Sequence, residues 1–151
     1  MNRRRLLLPL ALLSLIACSD EGGGSSDDSD DRAPSCGLFT GTYVQTDVRD
    51  TADPGDCPVL EEPPATIELV DKQDGTATIT QESGAVASCT VKTDGCLFTS
   101  NCELAFGGTP LATLRYSLTF STSGYSGSVI VSRPDNGRTC TGNYSVTAVR
   151  K

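Results

Sequence analysis

Short runs in which apolar and polar residues alternate constrain the fold of this chain more than any other feature. No window has a sustained apolar stripe with a 3.6-residue period, which an amphipathic helix would need. A period of two instead places apolar side chains on one face of a strand and Thr, Ser, Arg or Asn on the other. The clearest runs are Ala65-Ile67-Leu69, Ala77-Ile79, Leu114-Tyr116-Leu118-Phe120 and Tyr144-Val146-Ala148.

Glycine-containing turn sequences separate these runs at intervals of about 9 to 16 residues, as expected for an antiparallel meander. Asp94-Gly95 and Asn136-Gly137 are examples, and such pairs supply the positive φ angles that tight hairpins need. We predict an all-β domain, an eight-stranded antiparallel up-and-down barrel, because closure removes both exposed sheet edges. A β-sandwich is the alternative. The predicted strands are 39–46, 64–71, 75–82, 85–93, 96–106, 111–121, 125–132 and 138–149.

The predicted hairpin at Asp94-Gly95 gives a specific register. A two-residue turn there pairs Thr93 with Cys96 and Val91 with Phe98, and makes Cys89 and Cys102 diagonal neighbours within reach of a disulfide. The residues predicted to share the inner face of this hairpin are Ala87, Cys89, Val91, Cys96, Phe98, Cys102, Leu104 and Phe106.

The spacing of the cysteines predicts a disulfide framework rather than a zinc site. No Cys-x-x-Cys pair occurs and the chain has no histidine, so the usual zinc ligand patterns are missing. In a meander, the loop over 47–63 and the start of the last strand lie at one end, which predicts Cys57–Cys140. Cys36 and Cys96 lie at the other end, which predicts Cys36–Cys96 and leaves Cys89–Cys102. The sequential pair Cys36–Cys57 is the main rival.

The N-terminus has the three parts of an export signal: Arg3-Arg4-Arg5, an apolar stretch over 6–16, and a small residue before a cleavage point. The apolar stretch is too short to span a bilayer, which takes about 20 residues. Its end, Leu15-Ile16-Ala17-Cys18, resembles the lipobox of bacterial lipoproteins. The alternative is an ordinary signal peptide with an incidental cysteine.

The lipoprotein resemblance implies a cleaved signal peptide over 1–17 and a mature protein that begins with an acylated Cys18. Several acyl chains would hold it stably at a membrane. Ser19 stands where lipoproteins kept at the inner membrane carry Asp, so the resemblance also implies the outer membrane of a bacterial cell envelope.

Between Cys18 and the β domain lies an acidic Gly/Ser-rich stretch, so we divide the mature chain into a linker over 18–34 and a domain over 35–151. Loss of three arginines with the signal leaves nine basic residues against 19 acidic ones, a net charge of −10. This charge argues against nucleic acid as a partner.

The residues favour a non-enzymatic protein without a cofactor. The absence of histidine removes the usual general base and the serine triad. Lys72, Lys92 and Lys151 are the only lysines, and none has a serine three residues before it. Glu68 and Glu103 fall on the solvent side of their predicted strands, so a pair of glycosidase carboxylates is not favoured.

One loop departs from the otherwise short connections. Asp47, Asp50, Asp53 and Asp56 recur at every third position in the first loop, followed by Glu61-Glu62. Carboxylates on a loop fixed by Cys57 are the ligand type that Ca²⁺ prefers. The alternative, which we favour, is a solvated rim loop with no metal.

Two functions follow from two predictions for the barrel interior. A filled interior, indicated by inward aromatic residues, favours an interaction module that contacts an envelope protein. Space left by small inward residues favours a carrier of a small apolar ligand. The aromatic residues are Phe98, Phe106, Tyr116, Phe120 and Tyr144, and the small ones are Ala77, Ala87, Gly127, Gly142 and Ala148.

Gly41-Thr42-Tyr43 resembles the Gly-x-Trp opening of lipocalins and the Gly-Thr-Trp opening of avidins. That resemblance implies a calycin-type barrel with an open mouth. A periplasmic protease-inhibitor barrel of similar size is a further alternative, although its N-terminal segment acts on the protease and here that segment would be lipidated.

Overall fold

A computed structural model of the chain describes residues 36, 39–58 and 63–151. Within these residues, eight antiparallel strands follow one another in sequence order, and the last strand pairs with the first to close a barrel. The prediction of an all-β, eight-stranded up-and-down barrel is therefore confirmed. The strands are β1 Gly41–Arg49, β2 Ala65–Asp71, β3 Thr76–Gln81, β4 Val86–Asp94, β5 Leu97–Phe106, β6 Thr109–Ser121, β7 Gly124–Asp135 and β8 Arg138–Arg150.

The two ends of the barrel differ, and we name them for what they carry. The entry end is where β1 begins at Gly41, together with the turns β2–β3, β4–β5 and β6–β7. The loop end is where β1 ends at Arg49, together with the long β1–β2 connection and the turns β3–β4, β5–β6 and β7–β8. Cys36 precedes β1, so the chain enters the barrel at the entry end.

Aromatic side chains fill the interior near the entry end. Tyr43 and Phe98 have no exposed surface. The ring of Phe39, from the segment before β1, meets the ring of Phe120 edge-on with a centroid distance of 4.8 Å. Tyr125 completes the cluster, at 4.9 Å from Phe120. These geometries are those that aromatic pairs prefer, and they close this end with side chains.

The hairpin between β4 and β5 has a different register from the predicted one. Asp94 pairs with Leu97 and Thr93 with Phe98, so the two turn residues are Gly95 and Cys96. Gly95 has φ of +54°, which suits glycine. The prediction that Thr93 pairs with Cys96 and Val91 with Phe98 was wrong. Each partner moves by two positions, a shift that does not by itself turn any side chain to the other face.

The new register changes the relation between two cysteines. Cys89 and Cys102 are directly paired across β4 and β5 rather than diagonal neighbours. Both are buried. Cys96 lies in the turn itself, at the entry end, where it reaches Cys36.

Three disulfides are present in the described residues, and they are the three pairs predicted from the cysteine positions; the rival Cys36–Cys57 is not formed. They are Cys36–Cys96, Cys57–Cys140 and Cys89–Cys102. The first fastens the entry end and the second fastens the loop end, while the third ties two neighbouring strands in the barrel wall.

Phe106 departs from the predicted inner face. Its side chain is 54 % exposed. The register between β5 and β6 shifts between Leu104 and Ala105, at the loop end of β5. Such an irregularity interrupts the inward–outward alternation, and Phe106 lies beyond it. The prediction placed this aromatic ring in the core, and that was wrong.

Candidate functional site

The segment before β1 is held firmly against the entry end. The Cys36–Cys96 disulfide joins it to the β4–β5 turn. The hydroxyl of Tyr43 donates to the Phe39 carbonyl at 2.8 Å, and Nη1 of Arg150 donates to the Thr40 carbonyl at 3.2 Å. This end therefore serves as the attachment point for whatever precedes residue 36. The predicted signal peptide, the lipidated Cys18 and the linker lie outside the described residues.

Arg150 also stabilises the entry end through Tyr43. Its Nη2 donates to the Tyr43 hydroxyl at 2.6 Å, and its guanidinium lies 5.0 Å from the Tyr43 ring centroid. Burial raises the pKa of Tyr43, and the positive charge of Arg150 opposes that rise. The last strand and the first strand are thus joined by side chains as well as by their backbone ladder.

The loop that follows β1 uses its carboxylates for backbone contacts. Oδ1 of Asp50 accepts from the backbone N–H of Ala52 at 2.8 Å and from that of Asp53 at 3.2 Å. Oδ1 of Asp56 accepts from the backbone N–H of Thr141 at 2.6 Å. These bonds shape the loop and attach it to β8.

The loop runs along the part of β8 that extends beyond β1. The backbone N–H groups of Asp56 and Cys57 both donate to the Thr141 carbonyl, at 2.8 and 2.9 Å. Gly55 forms an isolated antiparallel bridge with Gly142. Strand β8 pairs with β1 only from Tyr144 onward, so the loop covers an edge of β8 that would otherwise lie open.

The four aspartates of the calcium candidate are divided between β1 and the loop that follows it. Asp47 lies on β1, not on the loop, because β1 extends to Arg49 instead of ending at residue 46. Across residues 36, 39–58 and 63–151, no group of three or more His, Cys, Asp or Glu side chains is placed to hold a metal ion. Glu61 and Glu62 lie outside the described residues.

Strand β1 instead carries polar side chains into the barrel. Gln45 is 8 % exposed, and its Oε1 accepts a hydrogen bond from the Tyr125 hydroxyl at 2.5 Å. Its Nε2 donates to both carboxylate oxygens of Asp47, at 2.9 and 3.1 Å. Burial strongly raises the pKa of Tyr125, and the nearby Tyr116 and Asp47 add to that effect.

Arg49 continues this inward row to the loop end. Its Nη1 donates to the Tyr144 hydroxyl at 3.1 Å and its Nη2 to the Cys57 carbonyl at 2.9 Å. Its guanidinium also lies 5.2 Å from the Tyr144 ring centroid. Arg49 therefore links β1, β8 and the loop fastened by Cys57.

Alternation of apolar and polar residues did not predict this polar row, although the spacing of its residues carries a signal. Tyr43, Gln45, Asp47 and Arg49 lie at every second position, which is the spacing of one strand face. Only Tyr43 is apolar, so the alternation was not recognised past it. A longer β1 and three polar inward side chains could have been proposed from that spacing.

Several inward side chains near the loop end are only partly buried. Leu104, Ala112 and Val131 pack against the core but are only partly buried. The backbone pairing between β6 and β7 begins at Thr113 and Ser132. The parts of the two strands nearer the loop end, 109–112 of β6 and 133–135 of β7, are not paired with each other.

The comparisons with known proteins gave no relative: no protein-family model, no curated protein and no solved structure matches this chain. Among the described residues, none forms a helix with the length and hydrophobicity to cross a bilayer. The fold and the contacts above are thus the basis for proposing a function.

Proposed function

We propose that this protein is a lipid-anchored protein of the bacterial cell envelope, located at the outer membrane, and that its β domain is a non-catalytic binding module. The observation that carries the proposal is the fastening of Cys36 to Cys96 at the entry end. A chain tethered through its N-terminus enters the barrel there. The loop end, opposite this point of entry, is the end to which we assign contact with a partner.

The loop end supports this arrangement. At the loop end, Val86, Phe106 and Leu111 expose 37 %, 54 % and 43 % of their surface. Exposed apolar side chains that lie near one another are typical of contact with another protein. At the entry end, Leu97 and Val149 are exposed as well, by 40 % and 66 %.

The anchor is tested by replacing Cys18 with serine in the full chain expressed in a bacterial host. We expect the wild-type protein to fractionate with membranes and to have the mass of a chain beginning at an acylated Cys18. The C18S variant should lose the acyl mass. The matched control Ser29→Ala, in the same linker, should behave as wild type. An unmodified wild-type chain would refute the anchor.

Photo-crosslinking from the two ends of β5 tests which end of the barrel contacts a partner. A photoreactive phenylalanine analogue replaces Phe106 at the loop end or Leu97 at the entry end, which is 40 % exposed and serves as the matched control. We expect discrete adducts with an envelope protein from position 106 and none from position 97. The opposite pattern would refute the assignment of the loop end.

A carrier of a small apolar ligand is the second candidate, favoured by the partly exposed inward side chains of Leu104, Ala112 and Val131. Native mass spectrometry of the detergent-released protein should then retain a bound molecule. Ala112→Trp would fill the mouth and abolish retention, whereas Ser128→Trp on the outer face would not. Equal retention by both variants would count against this candidate.

A further inference from the structure

A groove crosses the outer face of the barrel over the four strands β3 to β6, away from both ends. Its volume is about 620 Å³. The strand registers define its walls as two parallel rows of outward side chains, with the backbone of the row between them as the floor. One wall is Thr78, Ser88, Glu103 and Thr113, and the other is Thr76, Thr90, Asn101 and Arg115.

The floor of the groove is held in place by a covalent bond. Cys89 and Cys102 are the central residues of the floor, and their disulfide lies on the inner side of the sheet. It fixes β4 against β5 at the point where the walls rise. The walls are therefore ordered before any ligand arrives, which lowers the entropy lost on binding.

The groove presents both hydrogen-bond donors and hydrogen-bond acceptors that are not used within the protein. In the described part of the chain, the side chains of Asn101, Glu103 and Arg115 make no hydrogen bond within the protein, and all three are exposed. They offer an amide, a carboxylate and a guanidinium on adjacent strands. Serine and threonine hydroxyls surround them, and Lys72 adds one ammonium group at the margin.

This composition selects among ligand classes. A carboxylate in one wall disfavours a polyphosphate, and the scarcity of apolar wall side chains disfavours a lipid tail. Planar groups such as an amide, a carboxylate and a guanidinium can each bond two adjacent hydroxyls of one molecule. Four strands spaced about 4.8 Å apart give the groove a length of roughly 14 Å, which suits a short stretch of an extended polymer.

We propose that this outer groove binds a hydroxyl-rich glycan chain laid across strands β3 to β6. Asn101 and Glu103 on β5 and Arg115 on β6 are the central recognition residues. The site is separate from the loop end, so the proposal goes beyond the function given above. Its test uses purified protein, so a negative result would leave the anchor and the loop-end partner unaffected.

The test is co-sedimentation of the full-length protein with three insoluble glycans: microcrystalline cellulose, chitin and purified peptidoglycan sacculi. The protein is kept in a polyoxyethylene detergent, since a sugar-based detergent would compete for the groove. We expect retention on at least one glycan. Arg115→Glu and Asn101→Ala should each lower the retained fraction. Arg115→Glu removes the charged contact and should lower the affinity for the glycan about tenfold.

The matched control is Arg138→Glu, which makes the same charge change at an exposed site on the β7–β8 hairpin. It should retain wild-type binding. Thermal melting of each variant separates loss of binding from loss of folding, and Asn101→Ala alters no charge. Retention on none of the three glycans would overturn the proposal, as would an equal loss in Arg115→Glu and Arg138→Glu, which would indicate nonspecific ionic adsorption.

Discussion

Replacing Tyr125 with phenylalanine removes one hydroxyl from the barrel interior and leaves its acceptor buried. In the native protein that hydroxyl donates to Oε1 of Gln45, and the two side chains are 5 % and 8 % exposed. The ring itself keeps its neighbours, Tyr43 at 5.0 Å and Phe120 at 4.9 Å. The substitution therefore isolates a single hydrogen bond, with packing almost unchanged.

The magnitude follows from the fate of the Gln45 oxygen. An unsatisfied buried acceptor costs about 1–3 kcal/mol, and near-complete burial of both partners places the expected loss at about 2 kcal/mol. For a domain of this size, that corresponds to a fall in melting temperature of about 8 °C. Replacing Gln45 with methionine in the same protein removes the acceptor as well, so the double variant should recover part of the loss.

The measurement is guanidinium unfolding of the full-length, oxidised protein, followed by circular dichroism for the wild type, the Y125F and Q45M variants, and the double variant. We expect a coupling energy between Tyr125 and Gln45 of at least about 1 kcal/mol with unchanged denaturant slopes. A Y125F variant within about 0.5 kcal/mol of wild type would refute the interior bond as a source of stability.

Three further predictions concern pH, backbone approach and the loop-end disulfide. Because the pKa of Tyr125 is raised in the folded protein, the unfolded chain loses this proton first as the pH rises. The contribution of Tyr125 to the free energy of unfolding is therefore complete below about pH 10 and falls above it by about 1.4 kcal/mol per pH unit. In Y125F, the fall of the free energy of unfolding with alkaline pH should be shallower by that amount. Gly127→Ala would place a Cβ 2.0 Å from the Ser117 carbonyl oxygen, so we expect a loss of about 1–3 kcal/mol in urea unfolding, and a neutral result would contradict the close β6–β7 approach. The Cys57–Cys140 disulfide joins residues that are 83 positions apart in the sequence. Substituting both cysteines with alanine should lower the free energy of unfolding by up to about 4.5 kcal/mol through loop entropy, as measured by thermal unfolding. A loss below about 1 kcal/mol would show that the loop end is ordered without this disulfide.

Much of the wall of the barrel could be predicted because alternation is a local property. The period of two in Leu114, Tyr116, Leu118 and Phe120 assigns these side chains to the inner face whichever strand lies beside them, and all four are buried. Glycine turns then separate one strand from the next. The cysteine pairs followed from the same topology, since they depend on which end of a meander each cysteine occupies.

The details that position the candidate sites required the closed structure. Moving the β4–β5 pairing by two positions keeps every face unchanged, so alternation cannot distinguish the predicted register from the one that places Cys96 in the turn. The outward position of Phe106 depends on an irregularity in pairing with β6, a partner that local sequence does not specify.

The sequence by itself determined the fold class, the strand order and the face of most side chains, because neighbouring residues on a strand must point to opposite sides. Only the tertiary structure decided how the polar row of β1 meets Tyr125 and Tyr144, and which outward rows form a groove. Those features join residues far apart in the chain. They arise when the barrel closes and sets the distances between strands.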